Sequence, residues 1–394
     1  MSRAQGGVSR WTHSFVLASA ASLVAFRAAD LLGAARGTTT EIAVFGFVLP
    51  MIFGMGYLLL PSYVGRTVAD PRLPGLHFVA AYAGAALLVG DRAFDLGPGV
   101  LAAGVLLWSA GVAVFLGVLL WTVVPALRER PEVVLRTPEK PQRSTRLATL
   151  AIPVALGYLL LGTLVLLALV VPLPGLAWAS LPRAIHLYAA GLGALLIVAL
   201  GARLLTGFFH VTPPRYATWL VLATGAVAPA LLAAFLWVGP WFRLGAALEA
   251  LSLVGYSLLV GAVFVRTDRR RVGLYAVSLG ALAGALAVVV ALTLAFAAPT
   301  GARVAAHVQL VLGGFFALTI VGYVYQFFPV TAGRFAGGDA RTALTTVALL
   351  AAGSFLEAGA LLGGRPALRL LGALVALAGA LGYAYLVGRR LLGV

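Results

Sequence analysis

Apolar residues in this chain gather into long unbroken runs, and polar residues gather into short clusters between them. The runs at 147–171, 244–265, 272–297 and 342–362 are each long enough, at about 1.5 Å per residue, to cross a hydrocarbon core of about 30 Å. Strands of a membrane barrel would instead alternate in polarity over roughly ten residues. Helices are expected at about 14–34, 41–62, 77–91, 99–126, 147–171, 184–209, 216–238, 244–265, 272–297, 303–329, 342–362 and 366–388. The chain therefore reads as an all-α integral membrane protein with about twelve transmembrane helices.

Composition strengthens that reading. Hydrophobic residues make up 62% of the 394 and charged residues only 10%, with a mean hydropathy of +1.03. A soluble domain has roughly 45–50% apolar and about 25% charged residues. In lipid every backbone N–H and C=O needs an internal partner, so a chain this apolar has to be helical or a closed barrel. Arg3 and Arg10 precede the apolar run from Ser14 as in a signal peptide, but Arg27 and Asp30 interrupt that run, so a retained first helix is expected.

The net charge of +16 would suggest nucleic acid in a soluble protein. Here the basic residues mark topology instead. With the amino terminus in the cytoplasm, nineteen Lys and Arg fall on inner segments and seven on outer ones, the remaining two of the 28 being Arg27 and Arg203. That bias places both termini in the cytoplasm of a multi-pass cell-membrane protein. The stretch 127–146, which contains Lys140, becomes a cytoplasmic connector, and the partner implied is the lipid bilayer, not nucleic acid.

The spans repeat. Gly46-Phe47-Val48 is followed by Ile52, Gly54, Tyr57, Pro61, Gly65 and Arg66, while Gly314-Phe315-Phe316 is followed by Ile320, Gly322, Tyr325, Pro329, Gly333 and Arg334. A weaker copy has Gly193 and Gly201, with Phe208 in the place of the proline. The copies lie on the second, sixth and tenth helices, which predicts three parallel four-helix units at 1–146, 147–272 and 273–394 forming one membrane domain. Glycines at these places let a neighbouring helix or a flat ligand approach the backbone closely.

Chemistry in the apolar spans is sparse. The chain has no cysteine, so thiolate metal sites, iron–sulfur clusters and disulfides are excluded, and any ligand to a metal or cofactor is His, Met, Tyr or a carboxylate. Seven residues before the first glycine of each repeat stand Thr39, His186 and His307, and two residues further on Glu41, Tyr188 and Gln309. Imidazole is uncommon in a span and is a ready metal or haem ligand, so the matched pair His186 and His307 are the candidate ligands, though each could simply hydrogen-bond a neighbouring helix. His13, His77 and His210 fall near the cytoplasmic face and are expected to be solvated. Arg27 and Asp30, three apart on one helix face, are expected to neutralise each other. Arg203 lies deeper with no local acid. Glu41, Glu249 and Glu357 should face the bundle interior, either as a proton or cation path or as counter-charges to arginines.

Twelve helices in three such units, with His at the outer ends of the sixth and tenth, resemble haem–copper oxidase subunit I. The run from Glu41 through Phe45-Gly46-Phe47 and Gly54 to Pro61 and Gly65-Arg66 is similar to the second-helix pattern of the NnrS family. His307 through Gly314-Phe315 and Gly322-Tyr323-Val-Tyr325 to Pro329 is similar to oxidase-like relatives, and the segment Arg203 to His210 is similar to an NnrS Arg…Gly-His segment. The topology covers nearly the whole chain and the motifs about a fifth of it.

The departures matter as much as the matches. The family has one or two His immediately before the position of Glu41, where this chain has Thr38, Thr39 and Thr40, and the oxidase copper site needs a His pair on the seventh helix, where 216–238 has none. A threonine hydroxyl is a poor haem-iron ligand. The resemblance thus implies a membrane haem- or metal-binding accessory protein in redox or nitric-oxide stress handling, with respiratory or redox membrane partners, and not a competent terminal oxidase or nitric-oxide reductase. Haem or copper would be the cofactor. His307 would be the axial ligand, His186 a second ligand or distal group, and Gly314 and Gly322 would admit the macrocycle. The residues alone leave two alternatives open: a proton- or cation-coupled transporter, and an assembly subunit without a ligand.

Overall fold

The computed structural model describes residues 3–129 and 142–393, with side chains from Arg10 to Glu129 and from Arg146 to Gly393. The connector residues 130–141, Lys140 included, lie outside the described residues. Among the described residues twelve helices are long and apolar enough to cross a membrane, and there is no strand. They are α1 (Arg10–Leu31), α2 (Arg36–Ser62), α3 (Leu73–Phe94), α4 (Pro98–Glu129), α5 (Arg146–Leu167), α6 (Leu181–Phe209), α7 (Arg215–Ala234), α8 (Gly239–Arg266), α9 (Val272–Phe296), α10 (Gly301–Ala332), α11 (Ala340–Leu362) and α12 (Pro366–Leu392). The last turn of α10, Val330–Ala332, is a short tight turn set off from the helix body. With an even number of such helices, the start of α1 at Arg10 and the end of α12 at Leu392 fall on one face, called the terminal face below.

Local chemistry sets the ends. Asp339 caps α11 by accepting from the N–H groups of Arg341 and Thr342 at 2.8 and 3.0 Å, and Thr300 caps α10 by accepting from Arg303 N–H at 3.3 Å. Left-handed residues close several other helices: Gly65 follows α2 at φ 67°, and His210 terminates α6 at φ 57°. Helix α2 begins five residues before the expected 41, because Thr38 and Thr39 are helical, with Thr39 Oγ1 donating to Arg36 O at 3.0 Å.

Three helices form the centre. In α2, α6 and α10 the apolar stretch is 72%, 67% and 72% buried inside the protein, against 39–50% in the other nine. Each central helix carries one widened π turn in its first half, at Ile42–Val48, Leu187–Ala194 and Leu310–Phe316. Around them stand close hairpins, α3–α4, α7–α8 and α11–α12, whose backbones approach through glycine: Gly84 meets Trp108, Gly245 meets Leu231 and Leu232, and Gly379 meets Leu350. Leucine and valine side chains such as Leu258 and Val265 point outward, and Tyr216, Trp219, Trp178 and Trp241 are exposed near the two ends, as in an interfacial aromatic belt.

Candidate functional site

Between α6, α7, α8, α9 and α10, with α2 and α3 at its mouth, the bundle holds a cavity of about 540 Å³, within the range of about 300–1,000 Å³ usual for ligand sites. Its mouth lies on the face opposite the termini, where Arg36, Arg92 and Trp237 stand, and its floor reaches Phe315 and Phe316. The walls are chiefly aliphatic and aromatic. The polar side chains of the lining are Arg36, Thr40, Glu41 and Arg92 on the side of the mouth, together with His186, His307 and Glu249.

His186 sits five residues into α6 and His307 six into α10, about 8–9 Å below the helix starts. His186 Nδ1 lies 2.8 Å from Pro182 O, one turn back on its own helix, and His307 Nδ1 lies 3.0 Å from Ala287 O on α9. A carbonyl oxygen only accepts, so Nδ1 carries the proton in each ring and the lone pair of the neutral imidazole is on Nε2. This is the arrangement by which a backbone carbonyl orients a ligating histidine. The two rings, which repeat equivalence alone could have turned into different clefts, line the same cavity.

Gly314 and Gly322 have a different role from the one the resemblance implies. A Cβ on Gly314 would meet Ala283 Cβ at 2.7 Å, and one on Gly322 would meet Gly273 O and Val277 Cγ2 at 2.7 Å. Both spaces are filled by α9, so these glycines admit a helix and leave no room for a macrocycle. Gly46 and Gly54 likewise face Ser22 and Phe15 of α1.

The charged residues divide. Arg27 does not pair with Asp30: its guanidinium, 1% exposed, reaches Glu357 at 2.9 Å, Gly313 O at 2.8 Å and Ser354 Oγ at 2.6 Å, and Gln309 also donates to Glu357. Asp30 pairs instead with Arg369 at 3.1 Å. The i,i+3 spacing gave a local partner, but burial favours the pairing that satisfies several acceptors at once. Glu41 is buried against Arg92 Nε at 2.9 Å. Arg203 donates to Thr149 Oγ1 at 2.6 Å, with its guanidinium 3.9 Å from the Tyr63 ring centre. Glu41 and Glu357 are thus counter-charges. Glu249 is not, because its Oε2 is buried without a partner among the described residues.

His77 also departs from expectation. It is fully buried, with Nδ1 3.0 Å from Tyr57 Oη and Phe53 and Phe115 around it, whereas a solvated interfacial ring was expected. His13 packs edge-on to Phe328, and His210 is exposed. Trp237 was not anticipated as a site residue. It lines the cavity mouth with φ 66°, an unusual conformation for a bulky residue, and no periodicity signals it. Among the described residues no three His, Asp or Glu side chains come together as a metal site. No protein-family model matches the chain, and no curated protein is significantly similar to it.

Proposed function

We infer that this chain is a haem-binding membrane protein of accessory type, built as three parallel four-helix units on the plan of haem–copper oxidase subunit I and lacking the oxidase metal centre. The observation that carries the reading is the pair of imidazoles: His186 and His307 line one apolar cavity with Nδ1 already committed to a backbone carbonyl. Two imidazoles with no third His, Asp or Glu beside them among the described residues suit a metal that brings its own nitrogen ligands better than a bare copper ion.

His307 would be the axial ligand, and His186 the second ligand or a distal group. A haem so held would supply one-electron redox chemistry or binding of a diatomic gas. The protein's own contribution is to orient the rings and exclude water with apolar walls. The repeat plan is supported by the π turns of α2 and α10, which start four residues before Gly46 and Gly314 respectively, and by the facing of these glycines toward the first helix of their own unit. Placement in the cell membrane with cytoplasmic termini, and a role beside respiratory or redox partners, belong to the same proposal.

The test is an absorption spectrum of protein expressed with ample haem. A Soret band is expected, H307A should abolish it, and H186A should leave or shift it. Intact spectra in both variants would remove the assignment.

One observation favours a second reading, a carrier. A smaller apolar cleft of about 80 Å³, lined by Met55, Leu196 and Ile320, approaches the cavity from the terminal side, and the Phe316 ring seated on Gly193 stands between the two.

A further inference from the structure

The haem reading uses the α6–α10 wall of the cavity and leaves Glu249 on α8 without a role. Glu249 is only 7% exposed, lies ten residues or about 15 Å into its helix, and is one of the cavity's lining residues. Its Oε2 has no partner among the described residues. Of the two arginines that line the cavity, Arg92 is held by Glu41 and Arg36 donates to Gly301 O. Removing a carboxylate from water without a partner is unfavourable, and because Glu249 lines the cavity, a complementary group on a ligand held there would relieve that cost.

The surroundings narrow the class of ligand. A hard inorganic cation takes about six or more oxygens, and the walls beside Glu249 are Leu232, Phe242, Ala246, Leu253 and Val288, which offer none. Apolar walls with one carboxylate fit an organic ammonium on an apolar body. Aromatic rings at the entrance fit it too: Trp237 and Phe242 line the cavity with ring centres 5.4 Å apart, and aromatic faces attract ammonium groups. The left-handed backbone of Trp237, followed by Gly239 at φ 69°, holds that ring at the rim.

We propose that the cavity binds lipophilic primary ammonium cations, with the ammonium on Glu249 and the apolar body between α7, α8 and α9. The site goes beyond the haem reading and does not require it, and an occupant of either kind would exclude the other.

The experiment measures binding of phenethylammonium, 2-phenylethanol and 3-phenylpropionate to the full chain in lipid nanodiscs. Phenethylammonium should bind best, and E249Q should weaken it by about tenfold or more, to the level of the alcohol, while binding of the alcohol is retained as evidence of an intact cavity. Equal affinity of the wild-type chain for ammonium and alcohol overturns the proposal, as does an ammonium affinity unaltered in E249Q. If E249Q does not fold, the wild-type preference decides alone. A chain that prefers the ammonium yet shows no Soret band keeps this site and loses the haem reading, and the converse result does the reverse.

Discussion

The Arg27 guanidinium is buried on α1, where Glu357, Ser354 and the Gly313 carbonyl converge on it from α10 and α11. Breaking a buried pair from one side leaves a bare charge, at a cost of about 3–5 kcal/mol, whereas replacing both partners by apolar residues is often nearly neutral. R27A and E357A should therefore each lower the unfolding midpoint strongly in detergent, and R27M/E357M should recover most of the loss. Simple addition of the two losses would show that the ion pair is not the coupling. Outside the spans, hydrogen bonds from Thr342 N–H and its hydroxyl, then from Arg341 N–H, hold the Asp339 carboxyl below the usual carboxylate range. A depressed value means that its contribution is present above the unfolded pKa of about 3.9 and is lost as pH falls through the lower folded value. Melting curves from pH 6 to pH 3 should show that acid loss in the wild-type chain, and D339N should flatten it.

Among the elements, the hairpins depend on positions that only glycine fits. A Cβ at Gly84 would lie 2.6 Å from Trp108 N and 2.9 Å from its Cα, against backbone that cannot yield cheaply, while Gly117 on the same hairpin has nothing within 4 Å. G84V should destabilise by about 1–3 kcal/mol or prevent assembly, and G117A should be neutral or stabilising by up to about 1 kcal/mol, as read by thermal unfolding. Comparable effects of the two would mean that the α3–α4 contact is looser than its geometry. This is also the scale at which the chain was most legible. Twelve apolar runs give twelve helices because length and hydropathy alone decide a span. The threonines of 38–40 fell just outside the expected helix, yet they belong to it, because a hydroxyl can be satisfied by a backbone carbonyl within a helix, as that of Thr39 is by Arg36 O. The spacing that found Gly314 could not tell a helix from a ligand as the thing admitted. The Arg27–Glu357 pair, 330 residues apart, carries no local signal at all.

Taken as a whole, the molecule presents its cavity to one face and closes it toward the other. The chain has no native cysteine, so a single introduced thiol reports access directly. T40C at the mouth should react with a membrane-impermeant maleimide from outside intact cells, if the basic residues set orientation as they do in other helical membrane proteins. L196C, in the cleft beyond Phe316, should react from that side only when combined with F316A. Labelling of L196C alone from outside would show that Phe316 does not separate the compartments. Reporter fusions after Arg390 and near Gly363 should report opposite sides.

The π turns of the three central helices have a mechanical consequence. Each accommodates about one residue more than an α-helix would over the same length, which offsets the phase of the residues before it from those after it by about 100°. The segment bearing His307 and the segment bearing Gly322 are thereby aimed independently, one at the cavity and one at α9. Deleting one residue within 310–316 would restore the regular winding and swing one half against the other, so the same side chains would remain in the membrane while the imidazole turned off the cavity wall.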